Sequence, residues 1–484
     1  MTKDRRLPQH SAPGKLSRRN VLKAGALSTV AASIALPSAL AAGDGAAPHY
    51  DAIVIGAGFA GVTAARELRA KGLRTLVLEA RNRIGGRIWT DTFVGQPIEF
   101  GAQWVGSSQP LVNAELQRYG IAKTSGQPPT RAIMPTPTGP KPFSPLEVDE
   151  KQSELLQKLF EGSREYFPRP TEPLYARDRV AQIDGLSLRD RLNQLKLSPQ
   201  DESWINGTTS GQSGGSSSYG GLTALTQWWA LCGHNIDGWY GAMAYRIGTG
   251  MSGLLKAMLD DAAVELRLSS PVASVADDGK QVTVTTKSGA KFTAKTTVVA
   301  VPVNVWKNIT FRPGLPAAHT AATTQGVGVP NSRKLWMHVS GLTDRVVVHG
   351  AEGDTFTTVL SQGQVPGGQL MLAFNSLPAL DVTSRTAVQS ALRKVLPEAS
   401  VIEVKAQDWG RDKYSLGGWA MRRPNQLTTQ FPAIQQPSGR LAFASGDIAS
   451  GWNGFVEGAI ESGQRAAQQA IAASGSARGL ATAA

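Results

Sequence analysis

The feature that most limits the fold of this chain is a glycine-rich loop between two predicted strands. Residues 50–55 form an apolar run that is typical of a buried parallel strand. The run leads directly into Gly56-Ala57-Gly58-Phe59-Ala60-Gly61, residues 62–71 follow with a helical pattern, and residues 73–79 predict a second strand. A G-x-G-x-x-G sequence in this context is typical of a Rossmann unit that binds a dinucleotide.

Each glycine of the loop has a separate task in such a unit. Gly56 allows the tight turn, Gly58 lets the backbone approach a pyrophosphate, and Gly61 lets helix and strand pack closely. Glu79 ends the second strand 18 residues after Gly61, where a carboxylate accepts a hydrogen bond from an adenosine ribose hydroxyl. The N-terminus of the helix after the loop would face the phosphates. The sequence therefore predicts a dinucleotide site here.

The composition indicates a globular chain with sizeable cores. Of the 484 residues, 18% are charged and 41% are apolar, which excludes an intrinsically disordered chain, and the length suggests two or three domains. Cys232 is the only cysteine, so a disulfide scaffold is excluded. The six histidines lack the short spacings of a zinc site, and we expect no metal.

The formal net charge of +13 is concentrated near the start of the sequence. Residues 1–41 hold seven Lys or Arg and one Asp, which leaves +7 for the rest of the chain. That remainder has no basic cluster interleaved with aromatic residues, so we expect no nucleic-acid partner.

The same first residues resemble a twin-arginine export signal. Arg18 and Arg19 precede a weakly apolar run at residues 24–36, and small residues at 37–41 resemble a cleavage site. The resemblance implies that the folded, cofactor-loaded protein is exported, to be periplasmic or secreted. An uncleaved membrane anchor is the alternative, but the run is too short and too polar to span about 30 Å of hydrocarbon comfortably. We therefore expect no stable membrane insertion.

Two further motifs extend the predicted cofactor site. Arg81 is followed by a second glycine pair, Gly85-Gly86, and by Arg87, whose guanidinium would bind a diphosphate. Near the other end of the chain, an apolar strand stops at Gly446-Asp447, and residues 452–463 open a last helix. A plain nicotinamide enzyme has no evident use for these additions.

With these paired motifs the chain resembles the flavin-containing amine oxidase family over nearly all of the sequence after the signal. Residues 167–173 and the Gly-Gly-Trp-Ala segment at 417–420 are similar to those of its bacterial exported nicotine and pseudooxynicotine oxidoreductases. The resemblance implies an α/β fold, with a discontinuous Rossmann-like FAD-binding domain and a second, α+β substrate domain. The predicted boundaries are 1–41 for the signal, 48–125, 240–312 and 436–484 for the FAD-binding domain, and 126–239 and 313–435 for the substrate domain.

The resemblance also implies how FAD is bound. Asp447 would hold the ribityl chain, Val272 would contact adenine through its main chain, and the helix near Gly454 would point its N-terminus at the flavin C2 carbonyl and stabilise reduced flavin. Trp419 occupies the position where some relatives carry a cysteine bonded to flavin, so FAD is expected to be non-covalent. The predicted FAD-binding residues are Gly56, Gly58, Gly61, Glu79, Arg81, Gly86, Arg87, Val272, Gly446, Asp447 and Val456.

Three residues are the implied catalytic candidates. Lys334 matches the family lysine that holds a water against flavin N5, and the apolar alternation over residues 335–339 places it on the opposite face of its strand. An exposed strand lysine is the alternative. Trp419 and Phe455 would form an altered aromatic cage around the amine, with two ordinary core aromatics as the alternative.

The central region is expected to supply the substrate domain. Residues 153–167 predict an amphipathic helix, and the Gly- and Ser-rich residues 211–221 predict a loop. This loop contains Gly211-Gln212-Ser213-Gly214-Gly215, the string of a hydrolase nucleophile elbow. No apolar strand precedes the string, so a hydrolase is disfavoured.

These features together predict FAD-dependent oxidation of a small amine at its C–N bond. Hydride transfer to flavin N5 would give an imine that hydrolyses to an aldehyde or ketone. Residues 100–106 lack the arginine that L-amino acid oxidases of this superfamily use for the carboxylate, which favours an amine without one. The expected electron acceptor is oxygen or an electron-transfer protein such as a c-type cytochrome. Two alternatives stay open: a flavin desaturase or oxidase acting on C–C bonds, and a non-catalytic flavin-binding partner protein.

Overall fold

The structure is a computed structural model that describes residues 48–475, so the predicted signal at residues 1–41 lies outside the described residues. The strands are β1 (His49–Ile55), β2 (Thr75–Leu78), β3 (Thr90–Phe93), β4 (Gln96–Glu99), β5 (Lys123–Ser125), β6 (Arg131–Met134), β7 (Lys141–Phe143), β8 (Tyr245–Ile247), β9 (Glu265–Arg267), β10 (Val272–Asp277), β11 (Val282–Thr286), β12 (Lys291–Val299), β13 (Thr310–Arg312), β14 (Arg333–Ser340), β15 (Val346–His349), β16 (Thr358–Val365), β17 (Gly368–Asn375), β18 (Ser400–Asp408) and β19 (Leu441–Phe443).

The α-helices are distributed through the same residues. They are α1 (Phe59–Ala70), α2 (Pro110–Arg118), α3 (Pro145–Leu159), α4 (Ser163–Tyr166), α5 (Arg177–Asp184), α6 (Leu188–Leu195), α7 (Pro199–Gln212), α8 (Leu222–Leu231), α9 (Ile236–Gly241), α10 (Gly250–Ala262), α11 (Ala317–Gln325), α12 (Arg385–Leu392), α13 (Gln426–Thr429) and α14 (Val456–Ala473). Within the described part of the chain, no helix combines the length and the apolar character needed to cross a bilayer.

The first large sheet is built around the predicted Rossmann unit. Its strand order is β13-β10-β11-β12-β1-β2-β9, and β19 pairs with β12. β1 pairs in parallel with both β2 and β12, and α1, α10 and α14 pack together on one face. The predicted strand, glycine loop, helix and second strand are therefore confirmed, although β2 is shorter than residues 73–79.

Small residues allow close packing in this layer. A Cβ atom added to Gly61 would lie 2.0 Å from the carbonyl oxygen of Gly56, and one added to Gly463 on α14 would lie 2.4 Å from that of Ala60. Both distances are far below a normal contact. Gly61 therefore lets α1 lie directly against the loop, as its place in the motif predicts.

The second large sheet has the order β18-β14-β17-β16-β15-β6-β7. On β14, Leu335, Met337 and Val339 are buried in an apolar cluster that also includes residues of α12. Neighbouring residues on a strand point to opposite faces, so Lys334 and Trp336 lie on the other face. This confirms the predicted alternation along β14.

The prediction of a helix over residues 153–167 is wrong at both ends. The helix α3 begins earlier because Ser144 and Glu147 form a capping box, in which each side chain accepts a hydrogen bond from the backbone N–H of the other. It ends at Leu159, and Gly162 then adopts a φ of +78° before the single turn of α4. The chain reverses here because glycine tolerates a positive φ.

The prediction of a loop over residues 211–221 is wrong at its start. The helix α7 continues to Gln212, so only residues 213–221 lie outside the helix. The G-x-S-x-G string therefore straddles the C-terminus of a helix instead of following a strand, which agrees with the rejection of a hydrolase elbow. The described residues form one compact unit that contains both large sheets, and the domain boundaries stay a prediction.

Candidate active site

A cavity of about 1060 Å³ is lined by residues from both large sheets. All three catalytic candidates, Lys334, Trp419 and Phe455, line it. So do nine of the predicted FAD-binding residues: Gly56, Gly58, Glu79, Arg81, Gly86, Arg87, Val272, Gly446 and Val456. Gly61 and Asp447 do not line it, since the first packs helix against loop and the second lies behind Arg87. The sequence motifs from both ends of the chain therefore meet around one space.

Two glycines leave room along one wall of this cavity. A Cβ atom added to Gly86 would meet only the Gly58 Cα, at 3.9 Å, and one added to Gly58 would meet nothing nearer than the Gly85 carbonyl oxygen, at 3.7 Å. The turn is held by Arg83, whose guanidinium donates to the carbonyl oxygen of Ile88 at 2.8 Å. Backbone without side chains beside an open cavity fits the close approach of a diphosphate. The sequence did not indicate the role of Arg83.

Glu79 is 3% exposed and ties the two glycine turns together. One carboxylate oxygen accepts from the backbone N–H of Ala57 at 2.8 Å, and the other accepts from that of Arg81 at 2.9 Å. A carboxylate has lone pairs for about four hydrogen bonds, so both oxygens retain capacity, and Glu79 lines the cavity. Glu79 fixes the loop, and its remaining lone pairs would let it accept from a ribose hydroxyl, as the sequence predicts.

Two helices begin at the cavity without a side-chain cap. The residue before α1 is Gly58, which has no side chain, and the residue before α14 is Phe455, whose ring does not accept from the first turn. The first N–H groups of a helix need partners and carry its positive dipole end. An anionic diphosphate at α1 and a flavin carbonyl at α14 would supply these partners.

Arg87 and Asp447 form a nearly buried ion pair. The Arg87 Nη1 atom lies 2.7 Å from Asp447 Oδ1 and donates to the Gly418 carbonyl oxygen at 2.6 Å. The second carboxylate oxygen of Asp447 accepts from the backbone N–H of Val303 at 3.0 Å. Arg81 is similarly paired with Asp412. The two predicted cationic residues therefore line the cavity with their charges compensated.

Lys334 is 3% exposed, so the alternative of an exposed strand lysine is wrong. Its Nζ donates to the Gly101 carbonyl oxygen at 2.9 Å and to Gln103 Oε1 at 2.8 Å. The ring centroids of Trp104 and Phe374 lie 5.1 Å and 5.8 Å from Nζ. An ammonium has three donors, so one N–H stays free to hold a water at the cavity wall.

Burial strongly affects the charge on Lys334. The pKa of Lys334 is lowered to about 7, mainly by burial; the charge of Glu99 opposes this shift and that of Arg246 adds to it. Burial also raises the pKa of Glu99, whose Oε1 accepts from the backbone N–H of Met251 at 2.8 Å. Desolvation disfavours the charged form of each group. Lys334 can therefore change its protonation state close to neutral pH.

Further aromatic rings line the same cavity. Trp419 meets Phe374 edge to face with centroids 6.3 Å apart, and Phe455 meets Trp228 and Trp452, each at 5.1 Å. The structure places Trp419 and Phe455 on the wall of the same cavity. The sequence reading missed Phe374, Trp228 and Trp452, because only the strand register and the helix packing bring them here.

The fold and this site define a flavoprotein of the amine-oxidising type. A family model described as flavin containing amine oxidoreductase matches residues 59–471. The chain belongs to that family. It is an FAD-dependent enzyme that oxidises amines at the C–N bond, and of the functions that the sequence left open this is the one the family supports.

Several known proteins are similar to this chain. A pseudooxynicotine dehydrogenase of a Pseudomonas species is 35% identical over 87% of this chain and 86% of its own length. A nicotine dehydrogenase of Pseudomonas putida is 35% identical over 87% of this chain and 88% of its own length. The fold is similar to that of cyclohexylamine oxidase from Brevibacterium oxydans IH-35A, with a TM-score of 0.73 and 20% identity over 89% of this chain and 100% of that one.

Denaturation of the protein is expected to release FAD, because the cofactor is not covalently attached. Cys232 is buried at the end of α8, and burial raises the pKa of its thiol to about 12, so it stays a neutral and weakly nucleophilic group. Acid or heat precipitation should release yellow flavin into the supernatant, from the wild type and from Cys232→Ser alike. A pellet that stays yellow after denaturation would contradict non-covalent binding. Among the residues in the structure, no group of three or more His, Cys, Asp or Glu is placed to hold a metal.

Proposed function

We propose that this enzyme oxidises a small amine without an α-carboxylate, with the amine held between Trp419 and Phe455 and a water held by Lys334. The observation that carries the proposal is a single cavity that contains both the glycine cradle and the aromatic wall around this lysine. The residues 100–106 contribute an amide and an indole to the cavity, Gln103 and Trp104, and no guanidinium. A substrate carboxylate would have no partner from this segment.

The protein contributes orientation and exclusion of water. Bound FAD supplies the acceptor for the hydride equivalent that leaves the substrate carbon next to nitrogen, and water hydrolyses the resulting imine. Trp419 and Phe455 would hold the amine in one orientation with this C–H bond towards the acceptor. Such orientation is the main contribution that a positioning site makes to the rate. Lys334 holds the water at its free N–H. That third N–H exists only in the protonated form, since the two N–H groups of the neutral amine already donate to Gly101 and Gln103. Because burial lowers the pKa of Lys334 to about 7, both forms are populated near neutral pH.

The electron acceptor is proposed to be an electron-transfer protein, such as a c-type cytochrome, or oxygen. Two relatives at 35% identity are named dehydrogenases, and a relative at 28% identity from Paenarthrobacter nicotinovorans is named an oxidase. The names of the more similar pair favour a protein acceptor. Mixing the anaerobically reduced enzyme with air-saturated buffer or with oxidised cytochrome c decides between them, since the faster reoxidation identifies the acceptor class.

The proposed function is tested by anaerobic mixing of the enzyme with a panel of amines. The panel begins with nicotine and pseudooxynicotine, for which two relatives are named, and includes an amino acid and an alkene-forming substrate without nitrogen. Loss of the flavin absorbance with amines alone, together with an imine, aldehyde or ketone product, is the expected result. Bleaching by the nitrogen-free compound, or by none of the panel, would contradict the proposal.

Export by the twin-arginine route is also proposed, on the strength of Arg18 and Arg19 ahead of a weakly apolar run. Replacement of both arginines by lysine keeps the charge but removes the guanidinium pair. The variant should remain in the cytoplasmic fraction of its host, while the wild type appears in the periplasm or the medium with FAD bound. Equal distribution of the two proteins between the fractions would show that the pair is not an export signal.

A further inference from the structure

A row of side chains runs across the second large sheet from Lys334. The register places Lys334 opposite Phe374, Phe374 opposite Thr358, and Thr358 opposite His349. Residues directly opposite each other share one face of a sheet, and all four line the cavity. Adjacent strands lie about 4.8 Å apart, so His349 is roughly 14 Å from Lys334.

The far end of this row is a polar patch in apolar surroundings. In residues 48–475 no hydrogen bond is made by the His349 ring or by the Thr358 hydroxyl, and the neighbours on the same face are Val347 and Leu360. Burial lowers the pKa of His349 to about 4, and no charged group contributes to that shift. The ring is therefore neutral at physiological pH and offers one donor and one acceptor. Both residues are half-buried on the cavity wall, so a ligand that displaces water from them must itself supply hydrogen-bond partners.

The helix α7 covers the space between this patch and the reacting end. A Cβ atom added to Gly207 would lie 1.7 Å from the carbonyl oxygen of Gly350, so α7 touches the chain just beyond His349. Further along the helix, the carbonyl oxygen of Gln212 accepts from Trp419 Nε1 at 2.8 Å. Residues of α7 therefore line the cavity together with His349 and Trp419.

We propose that His349, together with Thr358, binds an uncharged hydrogen-bonding group at the end of the substrate remote from the amine, and so determines specificity. The inference rests on the proposed function, because it takes the amine to lie between Trp419 and Phe455, and the Trp419 ring meets Phe374 edge to face. From Phe374 to His349 is two strand spacings, so the substrate is an elongated amine with a heteroaromatic nitrogen, carbonyl or hydroxyl roughly 10 Å from the amine nitrogen.

A second ammonium at this end is disfavoured. The carboxylates among the cavity-lining residues are Glu79, which holds the glycine loop, and Asp149 on α3. Burial raises the pKa of Asp149, and no electrostatic effect links it to His349. An elongated diamine would therefore bring a desolvated cation to a neutral patch, which costs free energy.

Two matched amines test the inference. One is N-methyl-phenylbutylamine and the other is N-methyl-pyridylbutylamine, which have the same length and differ by one ring nitrogen. We expect the wild type to reduce its flavin with a kcat/KM at least about tenfold higher for the pyridyl amine, because the phenyl amine leaves the patch unpaired. In His349→Phe the preference should fall to about twofold or less, with oxidation of the phenyl amine retained.

Controls separate a specific contact from a general disturbance. His338 is a buried histidine on β14, on the same face of the strand as Lys334, and it does not line the cavity. The variant His338→Phe should therefore keep the wild-type preference. Thr358→Val should lower the preference less than His349→Phe, and His349→Asn, which keeps a donor and an acceptor, should restore part of it.

The outcomes distinguish the two levels of the proposal. Equal rates for the two amines in the wild type, an undiminished preference in His349→Phe, or a preference for an elongated diamine that survives this substitution would each overturn the role of His349. None of these results would contradict the proposal that the enzyme oxidises amines. Failure of both amines and of the whole amine panel to reduce the flavin would instead overturn the proposed function.

Discussion

Glu79→Ala is expected to purify largely as apoprotein. The carboxylate is buried and accepts from two backbone N–H groups, at 2.8 Å and 2.9 Å, and its removal leaves both donors and a ribose hydroxyl unpaired. Hydrogen bonds to a charged group contribute about 1.5–3 kcal/mol each, so loss of the ribose contact should lower FAD affinity by about ten- to a hundredfold, and the loosened loop should lower it further. The ratio of flavin to protein absorbance after purification, followed by titration of the apoprotein with FAD, measures this loss.

Glu79→Gln is the matched control for size. Its amide oxygen can still accept from one of the two N–H groups, of Ala57 or Arg81, while its NH₂ group faces the other. FAD affinity should therefore lie between those of the wild type and Glu79→Ala. Far-ultraviolet circular dichroism should show that both variants fold. Full flavin occupancy of Glu79→Ala at low added FAD would mean that the carboxylate holds only the loop.

The parts of the fold that could be predicted are those with local sequence signals. The glycine loop, β1 and α1 follow from a pattern in which every residue type has a local reason. The limits of α3 were missed although Ser144 and Glu147 carry the capping-box spacing, because the apolar periodicity was weighed alone. The extension of α7 to Gln212 has no such signal. Along this helix Gly207 packs against Gly350, which lies far away in the sequence.

The same distinction between local and long-range signals separates the two sides of the candidate site. Its cofactor side is formed by short motifs, which is why the sequence alone indicated most of the residues that line the cavity there. Its substrate side depends on strand register and on contacts between distant segments, neither of which is readable from the sequence, so Phe374, His349 and Gln103 were missed. The burial of Lys334 also could not be predicted from the sequence. The alternation along β14 showed which face it occupies, but only the packing of Gly101 and Gln103 above it shows that this face is closed.

Lys334→Met is expected to slow turnover by at least about tenfold, equivalent to ~1.4 kcal/mol of barrier, while FAD stays bound with a normal spectrum. Methionine keeps the apolar stem of the side chain and removes the group that donates to Gln103 and to the proposed water. Stopped-flow measurement after anaerobic reduction follows reoxidation, and a separate experiment follows reduction by the amine. Rates within about twofold of wild type in both half-reactions would remove Lys334 from the site.

The pH dependence separates a functional lysine from a merely buried one. Since burial lowers the pKa of Lys334 to about 7, the wild-type rate should change with pH around that value, and this step should be absent in Lys334→Met. Lys334→Arg, which stays charged, should also lack it.

The pH dependence of stability provides an independent check of the shift in the pKa of Lys334. The unfolded lysine keeps its proton up to about pH 10.5 and the folded one loses it near 7, so the unfolded state binds more protons between these values. The free energy of unfolding of the wild type should therefore rise relative to Lys334→Met as the pH rises from about 7 to 10, and a constant difference would contradict a depressed pKa.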